Sequence, residues 1–339
     1  MILYDPNELQ GFFDFGIQIP ISDSKAARTF DVLRQDPQLG PRIREWHIPR
    51  VDEPLTREDL LRAHGHGYVD RLFANTLEKE ILRTYELIDD QGRYYRYAPD
   101  QATLPLRDLF TRILKRVAGT AQCYRIALQT GFCFYFGGGM HHAQRDYGNG
   151  FCLLNDIVIG LRKLQSENVI RKAWVIDVDA HKGDGTAALT CGDDTIRTLS
   201  VHMARGWPLD GPPRDEQGRP SPSFIPSDID IAMEAGEEGR YNDRLKDGLE
   251  QLEGLSMPDL AVIVSGADPY FRDTLPSTQG LKLTQRQLLA RDCTIHRFLK
   301  KRRIPQAGLM AGGYGPHVWE VYAGFLVWAL RARLLAADR

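Results

Sequence analysis

The sequence predicts an α/β fold, with an open, mostly parallel sheet flanked by helices in a single domain over residues 1–339. Three observations support this prediction. Short apolar runs end in polar, glycine-bearing turns, helix-like stretches alternate with these runs, and neither a repeat nor a low-complexity linker divides the chain. The length of 339 residues is ample for a large core, and 42% hydrophobic and 26% charged residues are ordinary globular values.

The apolar runs and the periodic stretches predict where each element lies. Runs typical of strands buried in a parallel sheet cover residues 131–136, 173–178, 198–202, 260–264 and 308–310. Helices are predicted over residues 106–129, 155–166, 237–253 and 284–301. Pro105 suits the start of the first helix, and the last helix has apolar residues near a period of 3.6. Because ligands of such sheets bind beyond the carboxyl ends of the strands, residues just after these runs are the first site candidates.

Composition excludes several classes of function. A net charge of -2 offers no basic surplus for nucleic acid, so we expect no nucleic-acid partner. The N-terminus lacks a basic region followed by an apolar one, and no apolar run is long enough for a membrane span. Five cysteines, an odd number without close pairing, predict reduced thiols and a cytoplasmic location.

One irregular stretch, residues 205–227, is rich in proline and glycine and too long for a routine connector. It is interpreted either as a surface insertion or as a rim loop over the active site. The second interpretation rests on the preceding strand, whose end points at the same edge of the sheet.

A metal site is predicted after two of the strands. Asp177, Asp179 and His181 are spaced by two and share one face of an extended segment. Asp179 and His181 provide two ligands suited to zinc, and Asp268, after a later strand, provides a third. Two aspartates would neutralise the dication and leave a position for water. The alternative is that the aspartates cap strand ends and His181 is an ordinary core histidine.

Two adjacent histidines, His141 and His142, follow a run of glycines that lets the backbone approach closely. Histidine serves as base and as acid near neutral pH, which water attack on a carbonyl and departure of an amine require. Asp177 and Asp184 are the carboxylates available to hold their tautomers. Taken alone, the pair would more simply be two ordinary loop histidines.

Tyr314 lies between glycines after the last predicted strand. Its hydroxyl could donate a hydrogen bond to a developing oxyanion. The alternative is a tyrosine that merely belongs to a glycine-rich turn.

Five ordered motifs together resemble the zinc-dependent histone deacetylase superfamily, which includes acetylpolyamine amidohydrolases and acetoin-utilisation proteins. They are Gly138-Gly139-Met140-His141-His142-Ala143, Gly150-Phe151-Cys152-Leu153-Leu154-Asn155-Asp156, Ile176-Asp177-Val178-Asp179-Ala180-His181-Lys182-Gly183-Asp184-Gly185, Ser265-Gly266-Ala267-Asp268 and Gly312-Gly313-Tyr314. The resemblance covers the chain from about Tyr68 to Tyr314 and is closest to bacterial or class IV-like members.

The resemblance implies an arginase/deacetylase-like sheet and one zinc ion per chain held by Asp179, His181 and Asp268. It implies that His141 pairs with Asp177 and His142 with Asp184, and that these histidines do the acid and base work. Tyr314 would polarise the acyl carbonyl, and Gly150 and Phe151 would line the tunnel for the substrate. A monovalent cation, K⁺ in this family, would lie near the groups that match Asp177, Asp179, His181, Ser200 and the Val201 carbonyl.

The chain departs from the family pattern where the substrate would bind. The final motif reads Ala-Gly-Gly-Tyr where many members have a further glycine, and Tyr270–Leu275 is atypical. Trp207 stands near the place of a second tunnel aromatic. These differences leave the reaction intact and put the substrate in doubt.

We expect a metal-dependent hydrolase that removes an acetyl or other acyl group from a protein lysine or a small amine. An acetylpolyamine amidohydrolase is the first alternative. An arginase-like ureohydrolase is disfavoured because the second carboxylate set of its two-manganese site is missing, and a silent acyl-lysine binding module is disfavoured because every proposed catalytic residue is present. The sequence does not determine the acyl chain length, the metal used in the cell or the oligomeric state.

Overall fold

A single sheet of eight parallel strands forms the centre of the computed structural model, which describes residues 1–6, 11–21, 24–209 and 224–338. The strands are β1 (Ile2–Leu3), β2 (His47–Ile48), β3 (Phe132–Tyr135), β4 (Ala173–Asp177), β5 (Ile196–Met203), β6 (Ile229–Met233), β7 (Leu260–Ser265) and β8 (Gln306–Met310). Their order across the sheet is β2-β1-β3-β8-β7-β4-β5-β6, and every pairing is parallel. The predicted open parallel sheet is therefore confirmed.

Helices cover both faces of this sheet. They are α1 (Ser24–Gln35), α2 (Ile43–Trp46), α3 (Arg57–Leu61), α4 (His66–Phe73), α5 (Leu77–Thr84), α6 (Leu109–Thr130), α7 (Asp156–Ser166), α8 (Asp184–Thr190), α9 (Tyr241–Leu255), α10 (Gln285–Lys301) and α11 (Trp319–Ala337). Short 3-10 helices lie at Phe12–Phe15, Gly40–Arg42, Pro99–Gln101, Leu106–Asp108, Glu238–Arg240 and Pro276–Thr278. Strands β3, β4, β7 and β8 are buried along their whole length, as expected of a parallel sheet covered on both sides.

The predicted elements correspond to β3, β4, β5, β7 and β8 and to α6, α7, α9 and α10, with ends that differ by a few residues. The largest differences fall at helix starts, where 106–108 and 238–240 form 3-10 turns before the α-helix begins. Helix α10 begins where the Thr284 hydroxyl accepts a hydrogen bond from the Gln287 backbone amide and the Gln287 side-chain oxygen accepts one from the Thr284 backbone amide. This capping box is encoded locally, so the sequence located this boundary within one residue.

Elements near the two ends of the chain were not predicted. Strands β1 and β2 are only two residues long and carry no periodicity, yet β1 pairs with β3 inside the sheet. Helix α11 packs between α1 and α10. It is apolar over most of its circumference, so it lacks the one-sided pattern that marks a surface helix.

The sheet brings its functional loops to one edge. Strands β3, β8, β7, β4 and β5 are consecutive neighbours, and the loops that follow them carry His141, Tyr314, Asp268, Asp179 and Trp207 in that order. Because the strands are parallel, all five loops emerge at the carboxyl ends of the strands.

Three remaining expectations concern the loop, the thiols and the membrane. Most of the predicted 205–227 rim loop, residues 210–223, lies outside the described residues, whereas Trp207 and 224–227 are described. All five cysteines are free thiols. Within the described ranges, no helix has both the length and the apolar character needed to cross a bilayer.

Candidate active site

Three side chains that could hold a metal ion meet at the carboxyl ends of β4 and β7. One ligand atom each from Asp179, His181 and Asp268 lie within 4.8 Å of one another, and all three residues are buried. His181 turns Nδ1 towards both carboxylates, 3.2 Å from Asp179 Oδ1 and 3.2 Å from Asp268 Oδ2. Two carboxylates and one imidazole nitrogen suit zinc and leave a further position open.

The surroundings of this group fit a bound cation. Oδ2 of Asp268 is buried without a well-oriented hydrogen bond, although His181 Nδ1 lies 3.2 Å away, and burial together with the Asp179 carboxylate raises the pKa of Asp268 to about 7. The backbone of Gly312 lies directly against the two carboxylates. A Cβ at this position would lie 2.3 Å from Asp179 Oδ2 and 2.7 Å from Asp268 Oδ2, so any side chain would clash with them. Two buried carboxylates this close need positive charge between them, which a divalent ion would supply.

The two adjacent histidines lie beside this group, each hydrogen-bonded to a carboxylate. Nδ1 of His141 is 2.7 Å from Asp177 Oδ2, and Nδ1 of His142 is 2.6 Å from Asp184 Oδ1. The two rings are 3.9 Å apart between centroids. An extended chain would have pointed them in opposite directions, but Gly138 and Gly139, with φ of 75° and 76°, bend the loop so that both rings face one cavity.

The histidines differ in their affinity for a proton. Burial lowers the pKa of His141, but the Asp177 and Asp179 carboxylates outweigh this effect and raise it to about 9. Burial and the neighbouring His141 lower the pKa of His142 to about 4. Two groups whose environments separate their pKa values can divide acid and base work between them.

A buried aspartate that the sequence analysis did not single out holds the glycine loop in place. Asp156, the first residue of α7, accepts hydrogen bonds from the amides of Gly139 (3.0 Å) and Met140 (2.7 Å) and from the Thr120 hydroxyl. These bonds position the backbone directly before His141. The motif around Asp156 was recognised, but only the packing of α7 and α6 against the loop shows what the residue contacts.

The loop with Tyr314 is also held by an aspartate that the sequence analysis passed over. The amides of Tyr314 and Gly315 donate to Asp273 Oδ2 at 2.7 and 3.3 Å, and the Tyr322 hydroxyl donates to the Gly312 carbonyl at 2.7 Å. The Tyr314 side chain lines the cavity, where burial and the Asp179 and Asp268 carboxylates raise its pKa. Tyr314 therefore keeps its phenolic proton at neutral pH and can donate a hydrogen bond.

Aromatic walls enclose the approach to these residues. Phe151 adopts a left-handed backbone (φ 63°) and stacks on Tyr85 at 6.4 Å. The Trp207 ring lies 4.4 Å from the His142 ring, and a Cβ at Gly150 would come 2.2 Å from Trp207. Trp207 therefore packs against His142 and Gly150, and this contact leaves no room for a side chain at position 150.

Two of the residues expected around a monovalent cation, Asp177 and Ser200, lie side by side on neighbouring strands. Ser200 on β5 pairs in register with Asp177 on β4, and its hydroxyl is buried without a hydrogen-bond partner. A small cavity of about 10 Å³ is lined by Asp177, Ser200 and Ser227 among others. Lys182, whose ammonium group pairs with Asp230 and also contacts Ser227, fixes this part of the structure.

A buried arginine links the backbone segments that carry the metal group. Arg291 on α10 donates through Nη1 to the carbonyls of Val178 (3.0 Å) and Gly266 (2.8 Å) and through Nε to Asp292. Val178 directly precedes Asp179, and Gly266 lies two residues before Asp268. No local pattern in the sequence distinguishes this arginine from the exposed ones on the same helix.

Replacing this arginine should destabilise the fold strongly. In Arg291→Met, two buried carbonyls lose their donor and the buried Asp292 carboxylate loses its cation. Breaking a buried ion pair from one side typically costs about 3–5 kcal/mol, and we expect a loss of this size in the free energy of unfolding. Urea titration measures it, with the exposed Arg286→Met as the control, which should change by less than about 0.5 kcal/mol. Equal stability of the two variants would contradict this assignment.

Comparisons with known proteins identify the family of this chain. The histone deacetylase domain matches residues 19–330. An uncharacterised protein from Picosynechococcus sp. is 30% identical over 211 residues, 62% of this chain and 65% of its own length, so the match covers just under two thirds of that relative. Histone deacetylase 2 from Arabidopsis thaliana is 26% identical over 298 residues, 87% of this chain and 69% of its own length. The acetoin utilization protein AcuC from Staphylococcus aureus is 23% identical over 325 residues, 91% and 75% of the two chains.

The fold and the site define an α/β enzyme with a candidate metal centre at the carboxyl ends of a parallel sheet. The chain belongs to the histone deacetylase domain family. The resemblance deduced from the five motifs is therefore confirmed, and family membership supports a metal-dependent hydrolysis of the deacetylase type.

Proposed function

We propose that this chain hydrolyses an acyl amide, most simply an acetyl amide, on a protein lysine or a small amine, with one zinc ion per chain. One observation carries the proposal. The candidate ligand Asp179, both carboxylate-paired histidines and Tyr314 line the same cavity. Polarisation of a carbonyl, proton transfer and an oxyanion donor are the three elements that amide hydrolysis requires.

Asp179, His181 and Asp268 would hold the metal, which supplies Lewis acidity and lowers the pKa of water when bound. His141 and His142 accept a proton from the attacking water and return one to the departing amine. Asp177 and Asp184 hold the imidazoles through Nδ1, so each Nε2 is left for this work. The Tyr314 hydroxyl donates to the acyl oxygen as negative charge develops on it.

The acyl-bearing stem of the substrate would lie between Phe151 and Trp207 and over Gly150. A flat, apolar slot suits the methylene chain of a lysine or of a polyamine. A potassium ion at Asp177, Asp179, His181, Ser200 and the Val201 carbonyl would support the metal site from behind, and the unpartnered Ser200 hydroxyl favours this. The free thiols suit a cytoplasmic protein.

A panel of substrates tests the reaction. Acetyl, longer acyl and trifluoroacetyl lysine peptides are compared with acetylated polyamines, and amine release is measured on metal-loaded protein. We expect hydrolysis of at least one acetyl substrate. Tight peptide binding without turnover would indicate a binding module and not an enzyme. Release of urea from a guanidino substrate would favour a ureohydrolase.

Tyr314→Phe should lower kcat by about 10²–10³, because the loss of one oxyanion donor costs about 2.7–4 kcal/mol. The ring and the backbone bonds to Asp273 remain, so stability and metal content should barely change. KM should move less than kcat, since the hydrogen bond strengthens only in the transition state. Steady-state kinetics on an acetyl-lysine peptide measure both. A kcat within about threefold of the parent, far less than the cost of a donor, would make Tyr314 an ordinary loop residue.

A further inference from the structure

The cavity that holds the catalytic residues extends well past them. Its volume is about 180 Å³, and its lining continues from His142 and Tyr314 to Phe12, Lys25 and Arg116. A cavity needs only about 10–15 Å³ by this measure to hold one water molecule. This volume includes the part beside Gly150 and Phe151, where the substrate stem would lie, and the part beside Phe12, Lys25 and Arg116 is the space open to an acyl group longer than acetyl.

Three cationic side chains line this cavity, Lys25 on α1 and Arg112 and Arg116 on α6, and both arginines lie over the Phe12 ring. The buried Lys25 ammonium donates to the backbone carbonyls of Ala311 (2.5 Å) and Gly313 (3.4 Å). These acceptors are neutral, so they do not cancel the charge of Lys25. The half-buried Arg116 guanidinium lies 5.6 Å from the centre of the Phe12 ring. Within the part of the chain that the structure describes, no acidic side chain forms an ion pair with Lys25 or Arg116.

Among the described residues, two acidic side chains line this cavity, those of Asp5 and Asp179, and Asp179 belongs to the proposed metal group. The Asp5 carboxylate is bonded to the Lys115 ammonium at 3.0 Å. Burial lowers the pKa of Lys25 to about 8 in spite of the Asp268 and Asp179 carboxylates, and the nearby Arg116 acts in the same direction as burial. An anion between Lys25 and Arg116 would relieve this unfavourable arrangement.

We propose that this end of the cavity binds a carboxylate, and that the carboxylate is the far end of the acyl group, as in a succinyl or glutaryl amide. The inference rests on the proposed hydrolase function, because the same cavity must present the amide to His141, His142 and Tyr314. Water adds across the amide, the C–N bond breaks and a C–O bond forms. The amine leaves with a proton, and the acyl group leaves as a dicarboxylate.

A pair of substrates that differ only in charge tests this proposal. Succinyl-lysine and succinamoyl-lysine peptides have the same length and shape, but the first ends in a carboxylate and the second in a neutral amide. We expect kcat/KM to favour the succinyl peptide by about 10- to 100-fold, the factor that a hydrogen bond to a charged group contributes. The glutaryl and glutaramoyl pair shows which chain length reaches the cations.

Variants of Arg116 test whether this residue binds the carboxylate. Arg116→Gln should remove most of the preference for the succinyl peptide, Arg116→Lys should retain part of it, and the exposed Arg107→Gln should leave it unchanged. Turnover of the succinamoyl peptide and the Tm show that each variant is folded. Loss of the preference in Arg107→Gln as well, or its persistence in Arg116→Gln, would overturn the assignment to Arg116.

The remaining outcomes separate the two proposals. Hydrolysis of acetyl peptides without any preference for succinyl over succinamoyl would overturn this inference and leave the proposed function intact. The absence of hydrolysis of every amide would overturn both. Calorimetry with free succinate distinguishes the source of the carboxylate. If free succinate binds, if Arg116→Gln weakens that binding, and if succinyl substrates are not preferred, the site binds a free acid and not the end of an acyl group.

Discussion

Removal of divalent metal from the purified protein should abolish amide hydrolysis, and one equivalent of zinc per chain should restore it. The reason lies in the Asp179, His181 and Asp268 group, which brings two carboxylates and an imidazole nitrogen within 4.8 Å of one another. Without a cation, only the Tyr314 hydroxyl is left to polarise the acyl carbonyl, and nothing lowers the pKa of the attacking water. Elemental analysis before and after dialysis against a chelator, together with turnover, measures both parts of the prediction.

A matched pair of variants locates the metal. Asp268→Asn removes one negative ligand and should lower both metal content and activity, whereas Asp243→Asn, an exposed aspartate on α9, should change neither. Full turnover in protein shown to be free of metal would end the proposed mechanism. A reproducible content of two metal ions per chain would instead favour a ureohydrolase.

His142→Ala should reduce turnover by about 10²–10⁴, the usual contribution of a positioned acid or base. His142 is not one of the proposed ligands, but its ring lies beside His141 and lines the catalytic cavity. Alanine leaves the Asp184 carboxylate without its imidazole, but Asp184 still accepts a hydrogen bond from Gln144 at 2.7 Å. We therefore expect the fold to survive.

Steady-state kinetics, metal analysis and thermal unfolding together make this second test specific. The metal content and the secondary structure of His142→Ala should match those of the parent. The exposed His66→Ala on α4 should keep full activity. Near-normal turnover in folded, metal-loaded His142→Ala would remove this histidine from the mechanism.

The parts of the fold that could be predicted are those with a strong local signal. The apolar runs at β3, β4, β7 and β8 are short, uninterrupted and followed by glycine, which is typical of buried parallel strands. The two-residue strand β1 and the nearly all-apolar helix α11 carry no such signal, because their positions depend on partners far along the chain. The same limit applies to Trp207, whose contact with Gly150 joins two loops that lie more than fifty residues apart.

The sequence by itself determined the family of this protein and the candidate residues of its site, because residue types and their spacing are local. Asp179-x-His181, the His141-His142 pair and the glycines around Tyr314 are each contained in a few consecutive residues. Only the tertiary structure decided which partners surround them. Asp156, Asp273 and Arg291 hold the loops of the candidate site through hydrogen bonds to backbone atoms, and Lys25 of α1 and Arg116 of α6 line one cavity. Such contacts join residues tens to hundreds of positions apart, so they follow from the order of the strands and the packing of the helices, which no local pattern records.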